Sequence, residues 1–296
     1  MIKIDLSEGD NPVEQIKESL KIISRIDDAF DKREKISLDL SGVKWVLPCT
    51  VILISGKLRE ILCKGADVSY IPPKNLKVKE WLSDIGFPLG KTKDGSTFIS
   101  IKHFANNLSN PNQVNEEANS MLKKIETKIP NSFGGSILYI LGELADNIDQ
   151  HSNFTHASLM AQYFPQKEYL DIAVLDNGIS IPFNFEKNNI SFKKDSEAIK
   201  KALSGEATTK KDEKMRAFGL KSCKDISIKG FLLKINPDPR IKGELHVVSR
   251  KGIAILKSSG EENFYDFGNV SLDGTFLYFR LPTPKNKIDI YSYLEG

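Results

Sequence analysis

Two apolar runs, His156-Ala157-Ser158-Leu159-Met160-Ala161-Gln162-Tyr163-Phe164 and Tyr169-Leu170-Asp171-Ile172-Ala173-Val174-Leu175, stand on either side of Pro165-Gln166-Lys167. Their length and apolar content mark strands bounded by a turn. A connection this short folds the second run back antiparallel to the first. The second run continues into Asp176-Asn177-Gly178-Ile179-Ser180-Ile181-Pro182. Asn-Gly behind an apolar strand is, by itself, a turn signal. A sheet with one strand ending at Asp176 is the least that this stretch demands.

Upstream, Ile137, Leu141, Leu144 and Ile148 recur at steps of three and four, the period of a helix that buries one face. Glu143, Asp146, Asn147 and Gln150 follow the same steps on another face. Glu143 and Asn147 are four apart and therefore one turn from each other. A carboxylate can act as a base toward water, and an amide oxygen can hold a hard cation such as Mg²⁺. The plain alternative is a solvated polar helix face.

A chain of 296 residues exceeds the usual size of one domain, so two are expected. With 40% hydrophobic and 27% charged residues it can build a sizeable core. A net charge of +3, spread through the chain, does not mark a nucleic-acid binder. Cys49, Cys63 and Cys223 are odd in number and widely spaced, which indicates neither a zinc site nor a disulfide framework. Met1-Ile2-Lys3-Ile4-Asp5 lacks the apolar core of a signal peptide, and no apolar run reaches membrane-spanning length. The expectation is a soluble protein of the reducing cytoplasm.

The first third alternates helices and strands. Val13, Ile16, Leu20, Ile23 and Ile26 form a helical stripe over 12–30, and Lys35 to Leu40 reads as a strand before Ser41-Gly42. A helix from about Thr50 to Cys63 closes at Lys64-Gly65. Asp67 to Ile71 is a second strand, and Lys77 to Ile85 a short helix. Ile36-Ser37-Leu38-Asp39-Leu40-Ser41-Gly42-Val43-Lys44-Trp45-Val46, Gly65-Ala66-Asp67-Val68 and Trp81-Leu82-Ser83-Asp84-Ile85-Gly86-Phe87 resemble, in that order, the STAS domain of anti-sigma-factor antagonists. The family has a phosphorylatable serine after its first long strand. Here that place reads Leu47-Pro48-Cys49-Thr50, and Thr50 is the hydroxyl left, with helix N-capping as its simpler role.

Asn106 to Asn115 makes the best linker, and a helix is expected over 114–129. From Phe183 to Arg216 the strand pattern disappears and lysines accumulate, as in a lid or loop. Then comes Arg216-Ala217-Phe218-Gly219-Leu220-Lys221, where a glycine opening a helix lets backbone N–H groups point at phosphate. Gly243 to Ser249 and Gly252 to Leu256 read as a hairpin, and Asp273 to Pro282 as a last strand. The layer arrangement implied is a mixed sheet backed by helices on one face.

Glu143-x-x-x-Asn147, Asp176-x-Gly178, Phe218-Gly219-Leu220 and Gly274-Thr275-Phe276 stand in one order that resembles the GHKL (histidine-kinase-like) ATPase superfamily over about residues 112 to 283. No P-loop sequence competes. The resemblance implies a Bergerat-type ATP-binding domain, an α/β fold of the α+β two-layer kind, behind the STAS-like one. The boundaries are 1–105 for the STAS-like domain, 106–115 for the linker, 116–284 for the ATP domain and 285–296 for a tail. Position by position, it implies Asn147 as Mg²⁺ ligand and Glu143 as the catalytic base that orients water. Asp176 would read the adenine amino group with Gly178 and Ile181 beside it and Thr275 in support. Lys210, Phe218, Gly219 and Leu220 would lie around the phosphates. The family commonly has glycine where this chain has Ala217, which puts turnover in question rather than binding. ATP and Mg²⁺ are thus the expected ligands. A protein partner is expected through the STAS-like domain, with a homodimer compatible and neither nucleic acid nor membrane indicated. Three activities stay open: an ATPase switch, an anti-sigma-type Ser/Thr kinase, and a nucleotide sensor without turnover. A structural role is expected for His103, and a helix-end role for His151.

Overall fold

The computed structural model describes residues 1–4, 6, 9–90, 93–105, 124, 142, 154–206, 219–228, 243–268 and 270–282. In chain order, β1 (Ile2–Lys3), α1 (Pro12–Asp31), β2 (Ile36–Asp39), α2 (Pro48–Cys63), β3 (Val68–Ile71) and α3 (Leu76–Asp84) come first. They are followed by β4 (Phe98–Ala105), β5 (His156–Phe164), β6 (Tyr169–Asp176), α4 (Ile181–Lys187), α5 (Asp195–Ser204) and α6 (Leu220–Ile228). The last four elements are β7 (Glu244–Arg250), β8 (Gly252–Lys257), β9 (Glu262–Asp266) and β10 (Leu272–Pro282).

These strands form two sheets. The small one is parallel, in the order β1-β2-β3. The large one has seven strands in the order β4-β5-β6-β10-β7-β8-β9. Every neighbouring pair in it is antiparallel, so the mixed sheet expected from sequence is replaced by a purely antiparallel one. The reason is connectivity: short turns join β5 to β6, β7 to β8 and β8 to β9, and short turns reverse direction. The late strand β10 inserts between β6 and β7. Strand β4, counted with the first domain in the sequence reading, pairs with β5 of the large sheet.

The large sheet is covered on both faces, not on one. Met160, Ala173, Leu175, Val248, Ile255, Phe276 and Tyr278 alternate toward one side and share a single core with Ile16, Leu20 and Ile23 of α1 and Leu53, Ile54 and Leu58 of α2. Their neighbours Leu159, Ala161, Ile172, Val174, Val247, Leu277 and Phe279 face the other side, against Ile199 and Leu203 of α5 and Cys223 and Ile226 of α6. Each leucine, isoleucine, valine, methionine or phenylalanine among them contributes roughly 1.5–3 kcal/mol by burial, so both layers are firmly held. Helix α2 is buried on nearly every side from Pro48 to Ile61, as a helix enclosed by other elements must be.

Polar contacts fasten the N-terminal layer to the sheet. Arg280 on β10 forks onto Asp171 of β6, Nε to Oδ1 at 2.9 Å and Nη2 to Oδ2 at 2.9 Å. The same Nη2 donates to Asp10 Oδ1 at 2.7 Å, just ahead of α1. From α3, Trp81 Nε1 donates to Gln162 Oε1 on β5 at 3.0 Å.

Two local expectations change. The segment read as a loop after Phe183 contains α4 and α5; Ala198, Ile199 and Leu203 bury one stripe of α5 while its lysines hid the helical period. Thr50 is not a cap: Leu47 holds that position, and Thr50 lies in the first turn, 2% exposed, with Oγ1 3.1 Å from Gln15 Oε1 and 3.1 Å from Ser19 Oγ. Helix packing against α1 converted a candidate surface hydroxyl into a buried crosslink. Among the described residues, no helix is long and apolar enough to cross a membrane.

Candidate functional site

Strand register builds the site. Ala157 on β5 pairs with Asp176 on β6, Asp176 with Thr275 on β10, Thr275 with Ser249 on β7, and Ser249 with Gly252 on β8. This row crosses the large sheet at one end. By the alternation of β-strands it shares a face with Val174, Leu277 and Val247, the side covered by α5 and α6. Residues up to 99 positions apart in sequence (275 and 176) become neighbours in it.

Asp176 is 6% exposed. Its Oδ1 accepts the Gly178 N–H at 2.9 Å. Burial pushes its carboxyl up to about 7, and backbone hydrogen bonds from Gly178 and Thr275 only partly oppose that. On the next strand, Gly274 has φ +78°, and a Cβ there would sit 2.1 Å from the Asp176 carbonyl oxygen. Only glycine fits both the conformation and the space. The pairing of β10 with β7 shifts register between Leu272 and Thr275, a bulge that sets this turn against the end of β6.

Ser249 ties these pieces together. Its Oγ accepts the Ile181 N–H at 2.9 Å, donates to the Gly274 carbonyl at 2.9 Å, and lies 3.0 Å from Thr275 Oγ1. A hydroxyl has a single proton. With that of Ser249 given to Gly274, the Thr275 hydroxyl donates to Ser249 and keeps only acceptor capacity. Ionised Asp176 and Thr275 therefore offer acceptors to a donor that approaches this end of the sheet. Asn177 serves as a brace: its Oδ1 accepts the N–H groups of Thr155 at 3.0 Å and His156 at 2.8 Å, closing the start of β5 onto the end of β6. Ser180 caps α4 by accepting the Phe183 N–H at 3.3 Å.

Of the residues expected at a nucleotide, Asp176, Gly178, Ile181 and Thr275 are gathered by this row and its hydroxyl network. Gly219 directly precedes α6 and its carbonyl accepts the Cys223 N–H at 3.0 Å; Leu220 packs against the core on the same sheet face. Glu143, Asn147, Lys210 and Phe218 lie outside the described residues, as do His151, Arg216 and Ala217; Gly142, the residue before Glu143, is helical. Ser249 and Asn177 were not foreseen in their roles. Alternation from Val247 places Ser249 on the site's face, and that was the available signal.

His103 stands apart from the site. Nδ1 is 2.7 Å from Ser158 Oγ and Nε2 is 3.2 Å from Ser55 Oγ, so the ring joins α2 to the sheet. Burial pushes its pKa down to about 4, which keeps it neutral near pH 7.

The chain matches none of the family models scanned, none of the curated proteins searched and none of the solved structures searched.

Proposed function

We propose that this chain is a Mg²⁺-ATP-binding regulatory protein in which a histidine-kinase-like, Bergerat-type unit acts as an ATP-driven switch on a protein partner, behind a STAS-like N-terminal layer. The buried Asp176 carboxyl at the end of β6 carries the reading. Set beside an acceptor-only Thr275, its ionised form suits an exocyclic amino group and disfavours a carbonyl in the same place. Adenine presents such an amino group at its 6-position, where guanine presents a carbonyl. The residues at this end of the sheet supply acceptors for the base's amino group; Asn147 and Glu143, to which the reading gives the cation and the water, lie outside the described residues. Bound ATP supplies a terminal phosphate whose presence or loss distinguishes two states of the switch.

Phosphotransfer within the chain is disfavoured by one observation. Thr50, the hydroxyl in the STAS-like position, is buried and hydrogen-bonded to Gln15 and Ser19. The test is calorimetry with Mg²⁺-ATP and Mg²⁺-GTP on the wild-type chain and on Asp176→Asn. ATP binding that is absent with GTP and lost in the variant is expected. Failure of the wild type to bind ATP would overturn the proposal. With γ-labelled ATP, release of free phosphate supports the switch, whereas label on a protein supports a kinase.

A further inference from the structure

Helix α2 touches the sheet directly behind the site. A Cβ placed on Gly56 would lie 2.5 Å from Leu175 Cδ2 and 3.3 Å from Ser158 Oγ. Leu175 is the residue before Asp176 and points to α2, while Asp176 points to the opposite face. One residue step thus separates the α2 contact from the site. The loop after β6 and the bulged start of β10, which flank the site, reach the same helices. Asn177, Leu272 and Asp273 line a narrow crevice together with Ile23 of α1 and Lys57 and Glu60 of α2. Within it, Lys57 Nζ is 2.6 Å from Asp27 Oδ1 and 3.2 Å from Glu60 Oε2. Asp273 immediately precedes the Gly274-Thr275 turn.

We infer that the α1–α2 layer is the element that responds to occupancy of the site, through the Leu175–Gly56 contact, the loop at Asn177 and the β10 bulge at Asp273. The inference rests on the ATP reading and adds to it the element that relays occupancy away from the site. Packed cores do not deform continuously, so a displacement of Leu175 or Asp273 moves α2 or opens that contact. Coupling is also reciprocal: what shifts α2 against the sheet changes ligand affinity by the same factor as the ligand shifts α2.

Two measurements on the full chain test this. The first is hydrogen exchange of the wild type with and without Mg²⁺-ATP. Altered protection over Pro48–Cys63 is expected; unchanged protection there, with ATP bound, overturns the inference. The second is the affinity of Gly56→Ala for Mg²⁺-ATP. Alanine favours the helix and the obstacle is a side-chain end rather than backbone, but its methyl must displace Leu175, so folding is checked first by circular dichroism. A loss of affinity of about fivefold or more is expected, with recovery when Leu175→Ala is added to make room. Undiminished affinity in a folded Gly56→Ala chain also overturns the inference. Absence of binding by the wild type instead overturns the parent reading, so the two failures are distinct.

Discussion

Gly274 and Asp176 approach so closely across β10 and β6 that a methyl group on the glycine would sit 2.1 Å from the aspartate carbonyl oxygen. The backbone at Gly274 also has φ +78°, which an L side chain adopts at a cost. Gly274→Ala is therefore expected to destabilise the fold by more than about 1 kcal/mol and to weaken ligand binding, since the obstacle is backbone and cannot swing aside. Denaturant titration and calorimetry on the variant check both halves; a neutral substitution would show that the turn is not held against β6.

The raised Asp176 carboxyl makes a pH prediction. Folded, it titrates near 7; unfolded, near the ordinary 3.8. The folded state thus holds the proton more tightly. Its contribution to stability is complete below about pH 4 and is lost as pH rises through about 7. The fall in urea midpoint between pH 5 and pH 8 should shrink in Asp176→Asn, which cannot ionise. Equal falls in the two proteins would refute the assignment. Ligand affinity should move the other way, rising with pH across the same interval as the acceptor form is populated.

Ser249→Ala removes the acceptor of the Ile181 N–H and the donor to the Gly274 carbonyl. Leaving such buried groups unpaired costs about 1–3 kcal/mol. Thr275 is also freed to turn its proton toward a ligand. Lower stability together with weaker discrimination between adenine and guanine nucleotides is expected, from melts and competition binding.

Arg280→Ala should be the most damaging of these changes. It strips the fork from Asp171, which is fully buried, and breaks the tie to Asp10 ahead of α1. Removing one member of a buried pair costs about 3–5 kcal/mol. Asp171→Asn added to Arg280→Ala should recover part of the loss in thermal unfolding, because no uncompensated charge then remains.

Much of the local structure was legible in the residues. The stripe Ile16, Leu20, Ile23 and Ile26 predicts α1, and the apolar runs ending at Phe164 and Asp176 predict β5, β6 and their antiparallel pairing. These signals depend on neighbours a few positions apart, where the period of burial shows in sequence. The α5 stripe of Ala198, Ile199 and Leu203 went unread because the helix is short and its other residues are charged or polar. Asp176, Gly178 and Thr275 were legible as a motif set through resemblance, while Ser249 was not: alternation from Val247 gives only its face, and its role comes from Ile181 and Gly274, which are distant in sequence.

By itself, then, the sequence determined many of the helices and strands, α1, α2, β5 and β6 among them, and which short motifs stand at their ends. Only the tertiary structure decided that the large sheet is antiparallel throughout, that α1 and α2 cover its second face, and that Thr50 is buried. It also decided that Ala157, Asp176, Thr275 and Ser249 form one row. The physical reason is distance along the chain. Burial period is a property of a few consecutive residues, whereas strand order and register depend on which distant apolar faces can cover one another.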